Sequence, residues 1–588
     1  MGNGENIHKV VRRVRLKNLT KNQKNACAYI YNFILVFFDM ETYDARNRKS
    51  RILGLRRKLK ILTSEHPKNS ANKQKDFFDV IFILGEKYMD HPLCGVAILK
   101  RLLEKNKYSV AVIETPKNSI DIMKFGKPRL FFGVSSGAID SMVRNYTSLN
   151  RPRQDDERLE YEKSTPDRAD IVYCNWIRER FKDSKIVLGG TEATLRRFTH
   201  YDYWQNSLRK SIIFDSRADI LVYGPGEKQV LEIAKRIKNG EELAGINGTC
   251  IKLREIPKSE GRNFVLLPSH EEVSENKESF CNMQNLLSNW ENLAQKNGNF
   301  YVLQYMAPEY FPKDLDEYYE LPFSRKITSN SMAGFEFSVI THRGCIGNCN
   351  FCSLRLTAGD RIVSRSEDSI IREVKYIVHL PHFKGIIDDF GGPSANMYGM
   401  DCKPCGRECL SCPKLDRNNK RLIALLRKVR EIAGVEKVFI KSGIRYDLVS
   451  LEYLKEITKH HISGKLKIAP EHVNADVLKL MNKDKGGNLD KFIKDFDKLG
   501  CGELSFYFMT GHPGSSMKEA KELAETIKNL RNAEAVQIFT PTPMTVSTCM
   551  YYTGLDPKTK KKVYVPYSFR EKKEQKRVLD LGKNRFKY

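Results

Sequence analysis

Cys345-Ile346-Gly347-Asn348-Cys349-Asn350-Phe351-Cys352 follows closely on an apolar run, residues 335–340, and this pairing decides how the C-terminal half of the chain folds. An apolar run that ends in a tight cysteine-bearing turn behaves as a strand delivering ligands at its carboxyl end. Three thiolates at CxxxCxxC spacing are soft donors that suit an iron-sulfur cluster or zinc. Structural zinc takes a closed set of four protein ligands, and this turn offers three. The shortfall favours a cluster with one iron left to an exchangeable ligand. Gly344 and Gly347 carry no Cβ and let the backbone wrap closely around a bulky group. Three unrelated thiols, or part of a zinc knuckle, is the competing reading, and it leaves the agreement of spacing, glycines and preceding strand unexplained.

Outward from that turn, strand-like runs at 335–340, 385–390, 438–442, 465–469, 503–510 and 536–540 alternate with helix-like runs. Six βα units in series predict a parallel sheet curved into a partial (β/α)6 barrel over 331–556, with its chemistry at the carboxyl ends of the strands. Upstream, apolar runs at 80–84, 110–114, 130–135, 186–190 and 220–224 are each followed by small or polar residues and then helix-like sequence. They predict a Rossmann-like, doubly wound α/β domain, similar to cobalamin-binding domains, over 66–255. Its strand ends carry Gly189-Gly190-Thr191-Glu192 and Tyr223-Gly224-Pro225-Gly226-Glu227, where such sheets bind ligands, but no GxGxxG follows the first strand to support a dinucleotide. Residues 256–330 read as a polar connector, 1–65 as a basic extension with one short apolar helix, and 557–588 as a basic helical tail.

The 588 residues suffice for two or three domains, and 41% hydrophobic with 10% aromatic residues indicates globular cores. Half of the 14 cysteines fall between Cys345 and Cys412, a distribution that suits metal in a reducing compartment, hence the cytoplasm, better than a disulfide framework. The longest apolar run, 28–38, is broken by Asn32 and falls short of the roughly 20 residues a membrane span needs. No small-residue cleavage site follows it. The formal net charge of +28 suits a polyanionic partner such as RNA, and lysine-rich solvated faces explain it as well.

The CxxxCxΦC spacing, with Phe351 before the last cysteine, resembles the radical S-adenosylmethionine (SAM) superfamily. That resemblance implies a 4Fe-4S cluster on Cys345, Cys349 and Cys352, chelated at its open iron by SAM, and reductive cleavage of SAM to a 5'-deoxyadenosyl radical. It also implies that Phe351 lies by the cofactor and that Gly391 and Gly392, after the second barrel strand, hold the SAM amino group. Ser442 and Arg445 after the third strand offer a hydroxyl and a guanidinium for SAM, with a surface ion pair as the plain alternative for Arg445. Glu471 after the fourth could accept bonds from the ribose, and His472 and His512 are groups that titrate near neutrality, functional or merely structural. Cys402, Cys405, Cys409 and Cys412 form a second set of four thiols, for zinc or an auxiliary iron-sulfur cluster, with free reactive thiols as a weaker third reading. Asp90-His91-Pro92-Leu93-Cys94-Gly95 superficially shares the DxHxxG pattern of cobalamin-binding domains at the wrong spacing. His200-Tyr201-Asp202-Tyr203-Trp204, after Arg196 and Arg197, reads as an aromatic plug between domains or a stacking surface.

The segments 88–95, 132–137, 187–193, 200–204, 342–345, 391–398, 468–472 and 540–544 together are similar to the YgiQ family of radical SAM proteins, whose reaction and substrate are uncharacterised; the similarity begins near Leu62. It implies an enzyme with SAM, an unidentified substrate entering between the two α/β halves, and a reducing electron donor. An RNA-modifying enzyme of the methylthiotransferase kind is the alternative, and a non-enzymatic protein that binds nucleic acid or senses redox state through its metal clusters is the other.

Overall fold

The computed structural model describes residues 77–583, apart from 154–164, 258–260, 328–332, 403–407, 463, 484–487, 501 and 531–534. The basic extension over 1–65 lies outside the described residues.

β1 (Val80–Leu84) is buried along its whole length, as a central strand covered on both faces requires. It pairs in parallel with β2 (Val110–Glu114) and with β3 (Phe131–Ser135), which pairs in parallel with β4 (Lys185–Leu188). The hairpin of β5 (His200–Asp202) and β6 (Ser207–Arg209) stands apart, and the ladder resumes in parallel from β4 to β7 (Ile220–Val222). The order 2-1-3-4-7 turns back between β1 and β3, the switch point at which open α/β sheets bind ligands. The crossover helix Gly95–Lys105 packs Val96, Ala97, Ile98, Leu102 and Leu103 on the sheet.

Residues 256–330 differ from the expected connector. β8 (Thr249–Leu253), β9 (Val265–Leu267), β10 (Leu293–Asn297) and β11 (Phe300–Gln304) widen the same sheet to nine strands, in the order β2-β1-β3-β4-β7-β8-β11-β10-β9. Pairing turns antiparallel at β7–β8 and stays so through β8–β11 and β11–β10. The stretch looks polar because buried amides do the joining: Gln304 Oε1 accepts from Arg197 Nε at 2.8 Å, and Gln295 Oε1 accepts from Thr199 N at 2.9 Å. These two buried amide oxygens are thereby satisfied, which makes their burial tolerable.

The second half is a barrel of parallel neighbours in chain order. β12 (Val339–Ile340) runs into the clip formed by β13 (His342–Arg343) and β14 (Val363–Ser364), and β15 (Ile386–Ile387) continues into β16 (Phe390–Gly391). β12 pairs with β16, β15 pairs with β17 (Lys437–Val438), and a bridge from Ile444 to Ile468 carries the third strand onto β18 (Lys465–Glu471). β18 pairs with β19 (Glu503–Thr510), and β19 with β20 (Ala535–Ile538). The first three strands are shorter than their apolar runs because carboxylates take over backbone donors: Phe337 N gives to Asp388, and Lys441 N and Ser442 N give to Asp389.

The expected tail is part of the core. Helix Phe569–Lys583 buries Leu579, and Gln575 accepts from Thr510 Oγ1 at 2.8 Å and Gly511 N at 3.0 Å. Lys572, fully buried, donates to the hydroxyls of Tyr203 at 3.2 Å and Tyr551 at 2.8 Å. Tyr201 lies 4.9 Å, centroid to centroid, from Tyr552. The 200–204 segment is therefore the plug that joins the nine-stranded sheet to the C-terminal helices. Among the described residues no helix is long and apolar enough to cross a membrane.

Candidate metal and cofactor site

The cysteine turn after β13 is pinned from several sides. Gly344 has φ 87°, and a Cβ there would stand 1.7 Å from the carbonyl oxygen of Arg361, while Cys345 N donates to Gly359 O at 3.0 Å. Asn350 N gives to Met481 O at 2.9 Å and its side chain to Leu480 O at 2.8 Å; Asn482 returns a bond to Asn348 O at 2.7 Å. A Cβ on Gly347 would meet Arg445 Nη1 at 2.6 Å and Cys345 Sγ at 3.3 Å. Cys345, Cys349 and Cys352 are half-buried free thiols. Burial, with Cys349 adding to it, pushes the Cys345 thiol up and the Cys352 thiol up to about 12. Among the described residues no three His, Cys, Asp or Glu side chains converge on a single ion. A cubane asks for no such convergence, since each thiolate takes a separate iron. Soft donors on a buried turn, with bare glycines where a side chain would intrude, fit an iron-sulfur cluster.

The other candidates stand at the carboxyl ends of the barrel strands. Gly391 O accepts from Thr341 N at 2.7 Å, and a Cβ on Gly392 would fall 2.7 Å from the His342 ring and carbonyl, so bare backbone is required there. Ser442 bonds Asp389 through its hydroxyl and, at 3.0 Å, through its N–H. Glu471 is buried at φ 71°, its Oε2 has no hydrogen-bond partner among the described residues, and Lys483 Nζ lies 3.9 Å from Oε1. Burial raises its carboxyl to about 7 against the pull of Lys483 and Arg445. Arg445 is no surface ion pair: its side chain is 6% exposed, doubly bonded to Asp447, with Nη1 3.5 Å from Cys349 Sγ. Phe351 is half-buried, edge-on to His512 at 6.4 Å. A cavity of about 450 Å³ opens between the two halves. Glu86, Gly137, Gly190 and Glu227 line it from the ends of β1, β3, β4 and β7, opposite His342 and Gly392 of the barrel.

A family model described as radical SAM N-terminal matches residues 63–335, the radical SAM superfamily model matches 339–527, and a domain of unknown function (DUF3362) matches 534–581. UPF0313 protein MJ1155 of Methanocaldococcus jannaschii is 43% identical over 535 residues, covering 85% of this chain and 89% of its own length. The chain belongs to the UPF0313 (YgiQ) family. A UPF0313 protein of Clostridium botulinum is 41% identical over 551 residues, 86% of each chain. The UPF0313 chain is thus a radical SAM enzyme, of a superfamily whose cofactors are a 4Fe-4S cluster and SAM. Among solved structures, the radical SAM methyltransferase TsrM of Kitasatospora setae aligns at 17% identity and a TM-score of 0.48, over 80% of this chain and 76% of that one. The cobalamin-dependent SAM radical enzyme OxsB aligns at 14% identity and a TM-score of 0.46, over 89% and 66%.

Several sequence candidates have structural duties in the UPF0313 chain. His91 is clamped, Nε2 to Glu336 O at 2.9 Å and Nδ1 to Leu93 N at 3.1 Å, and Asp90 pairs with Arg101. The 90–95 segment is a joint onto the barrel. His512 is held between Pro513 O and Ser547 Oγ, both at 2.7 Å, and burial lowers it to about 3. His472 accepts from Asn474 N at 3.0 Å and is lowered by burial to about 4, so both imidazoles are neutral at physiological pH. Of the second cysteine set, Cys402 is exposed, Cys409 and Cys412 are half-buried, and Cys405 lies outside the described residues. Sequence reasoning missed Arg343, whose Nη2 lies 2.7 Å from Glu227 across the cavity. Its place one residue before Gly344 was the available signal. Asp389, Asp447 and Lys483 were missed too, and carry no local motif.

Proposed function

We propose that Cys345, Cys349 and Cys352 hold a 4Fe-4S cluster whose fourth iron binds SAM, and that the bound pair generates a 5'-deoxyadenosyl radical for a substrate lodged in the cavity between the two halves. The single observation that carries this is the pinned turn with its three half-buried thiols, in which Gly347 leaves room beside Cys345 and Arg445 Nη1 reaches Cys349 Sγ. When bound, the cluster would supply the electron that cleaves SAM, while the chain binds, orients and shields. Gly391 and Gly392 offer close-approaching backbone to the SAM amino group, Phe351 an apolar edge, Ser442 and Glu471 polar contacts to the ribose side. Arg343 with Glu227 ties the sheet to the barrel at the cavity wall. A reducing electron donor and a cytoplasmic setting complete the proposal.

An RNA substrate draws its support from charge, and 12 of the 28 excess positive charges fall within residues 1–76, outside the described residues. A cavity of about 450 Å³ favours a compact substrate group. The test is anaerobic reconstitution with iron and sulfide, then dithionite and SAM. Release of 5'-deoxyadenosine is expected, with loss to background in Cys349→Ala. A fully reduced wild-type cluster that leaves SAM intact overturns the proposal.

A further inference from the structure

Arg445 is committed before any ligand arrives. Nε and Nη2 donate to the two oxygens of Asp447 at 2.9 and 2.5 Å, and Nη1 reaches Cys349 Sγ at 3.5 Å. The backbone is fixed as firmly: Asn396 Oδ1 accepts from Arg445 N, and Asn396 Nδ2 gives to Arg445 O, both at 2.9 Å. The two side chains are 6% and 13% exposed. Opposite them, Gly347 leaves the room that Nη1 occupies. Bidentate arginine–carboxylate pairs are rigid and directional, and a buried one resists separation because either partner alone would be an unpaired charge. A guanidinium so tied has little freedom to swing out and clamp a ligand carboxylate. Its remaining edge faces a thiol.

We infer that Arg445, held by Asp447 and Asn396, is a positioning residue that sets the reduction potential of the cluster through Cys349 rather than a binding group for the SAM carboxylate. This rests on the cluster proposed above. A cluster thiolate becomes more negative when the cluster gains an electron, so a cationic donor on its sulfur stabilises the reduced form more than the oxidised one and raises the potential. Low local dielectric strengthens that bond. Asp447 opposes it, because its carboxylate offsets part of the arginine charge. Removing the two groups therefore shifts the potential in opposite directions, a pattern that loss of packing alone does not produce.

The experiment is a redox titration followed by electron paramagnetic resonance, on the anaerobically reconstituted full chain. Arg445→Gln is expected to lower the one-electron reduction constant about tenfold, 59 mV for one electron, and Asp447→Asn to raise it by the smaller factor of about threefold. Arg445→Lys, which keeps the charge, is expected to stay within about threefold of the wild type. Since each single change leaves a buried charge unpaired, the double variant Arg445→Gln/Asp447→Asn is titrated as well and should fall between Arg445→Gln and the wild type. Singles that shift in the same direction overturn the inference, as does a double variant, standing in for unfolded singles, that matches the wild type. A wild-type chain that takes up no cluster overturns both this inference and the proposed function. A wild-type cluster that cleaves SAM, with potentials indifferent to these changes, overturns this inference alone.

Discussion

The barrel carries two cysteine-rich loops, built on opposite terms. The 345–352 turn is tied to distant parts of the chain through Gly359, Leu480, Met481 and Asn482, and a buried ion pair backs it. Across 408–417 the bonds include local ones: Cys412 N to Cys409 O at 3.0 Å, Ser411 Oγ to Glu408 O at 3.2 Å, Arg417 Nη1 to Cys412 O at 3.4 Å. Cys409, Leu410 and Leu415 do lean on a small apolar patch around Ile346 and Met397, while Cys402 stays exposed. The contrast teaches which partner supplies order. The first loop is shaped by the protein in advance of its cargo, whereas a second loop that holds metal would draw part of its order from that metal.

The largest break in that comparison is Gly344→Ala. The left-handed backbone and the clash with Arg361 O act together, so the variant should lose about 3 kcal/mol of stability and most of its capacity for iron. Urea unfolding and iron analysis on one preparation check it; a normally stable, iron-replete variant refutes the view that the turn is pre-shaped. Glu471 sharpens the same point through pH. Its carboxyl ionises at about 7 when folded against 4.5 for an ordinary glutamate, so the folded state prefers it neutral. The stability this confers is whole below about pH 4.5, falls as pH climbs to about 7 and is flat above, a total of about 3 kcal/mol at 1.36 per pKa unit. Glu471→Gln should remove that fall and be the more stable protein at pH 8. Parallel unfolding curves for variant and wild type at pH 5 and pH 8 contradict the assignment.

Legibility followed the range over which each feature is encoded. β2 and β19 occur where their apolar runs place them, because burial on the sheet faces depends on contiguous residues. The three half-buried thiols of the cysteine turn were legible for the same reason, since they fall within eight residues. The strands over 293–304 were not, because Gln295 and Gln304 are satisfied by Thr199 and Arg197, about a hundred residues away. His472 and His512 look like titrating groups in sequence, and only the packing around them shows that they stay neutral. Arg445 was visible as a candidate, but its duty depends on Asp447 and Cys349 approaching it together.

The smallest expected effect tests the other loop. Cys402 is exposed, and serine differs from cysteine by one atom, so in metal-free protein Cys402→Ser should change stability by less than about 0.5 kcal/mol. Metal content should respond instead, because a set of four thiols reduced to three no longer closes around zinc and holds a cubane less firmly. Metal analysis of Cys402→Ser in a Cys349→Ala background isolates the second set from the first. One zinc per chain lost, or four irons lost, names the metal. Equal metal in variant and parent shows that the second loop holds none through Cys402, and the contrast between a pre-shaped and a metal-shaped loop then falls.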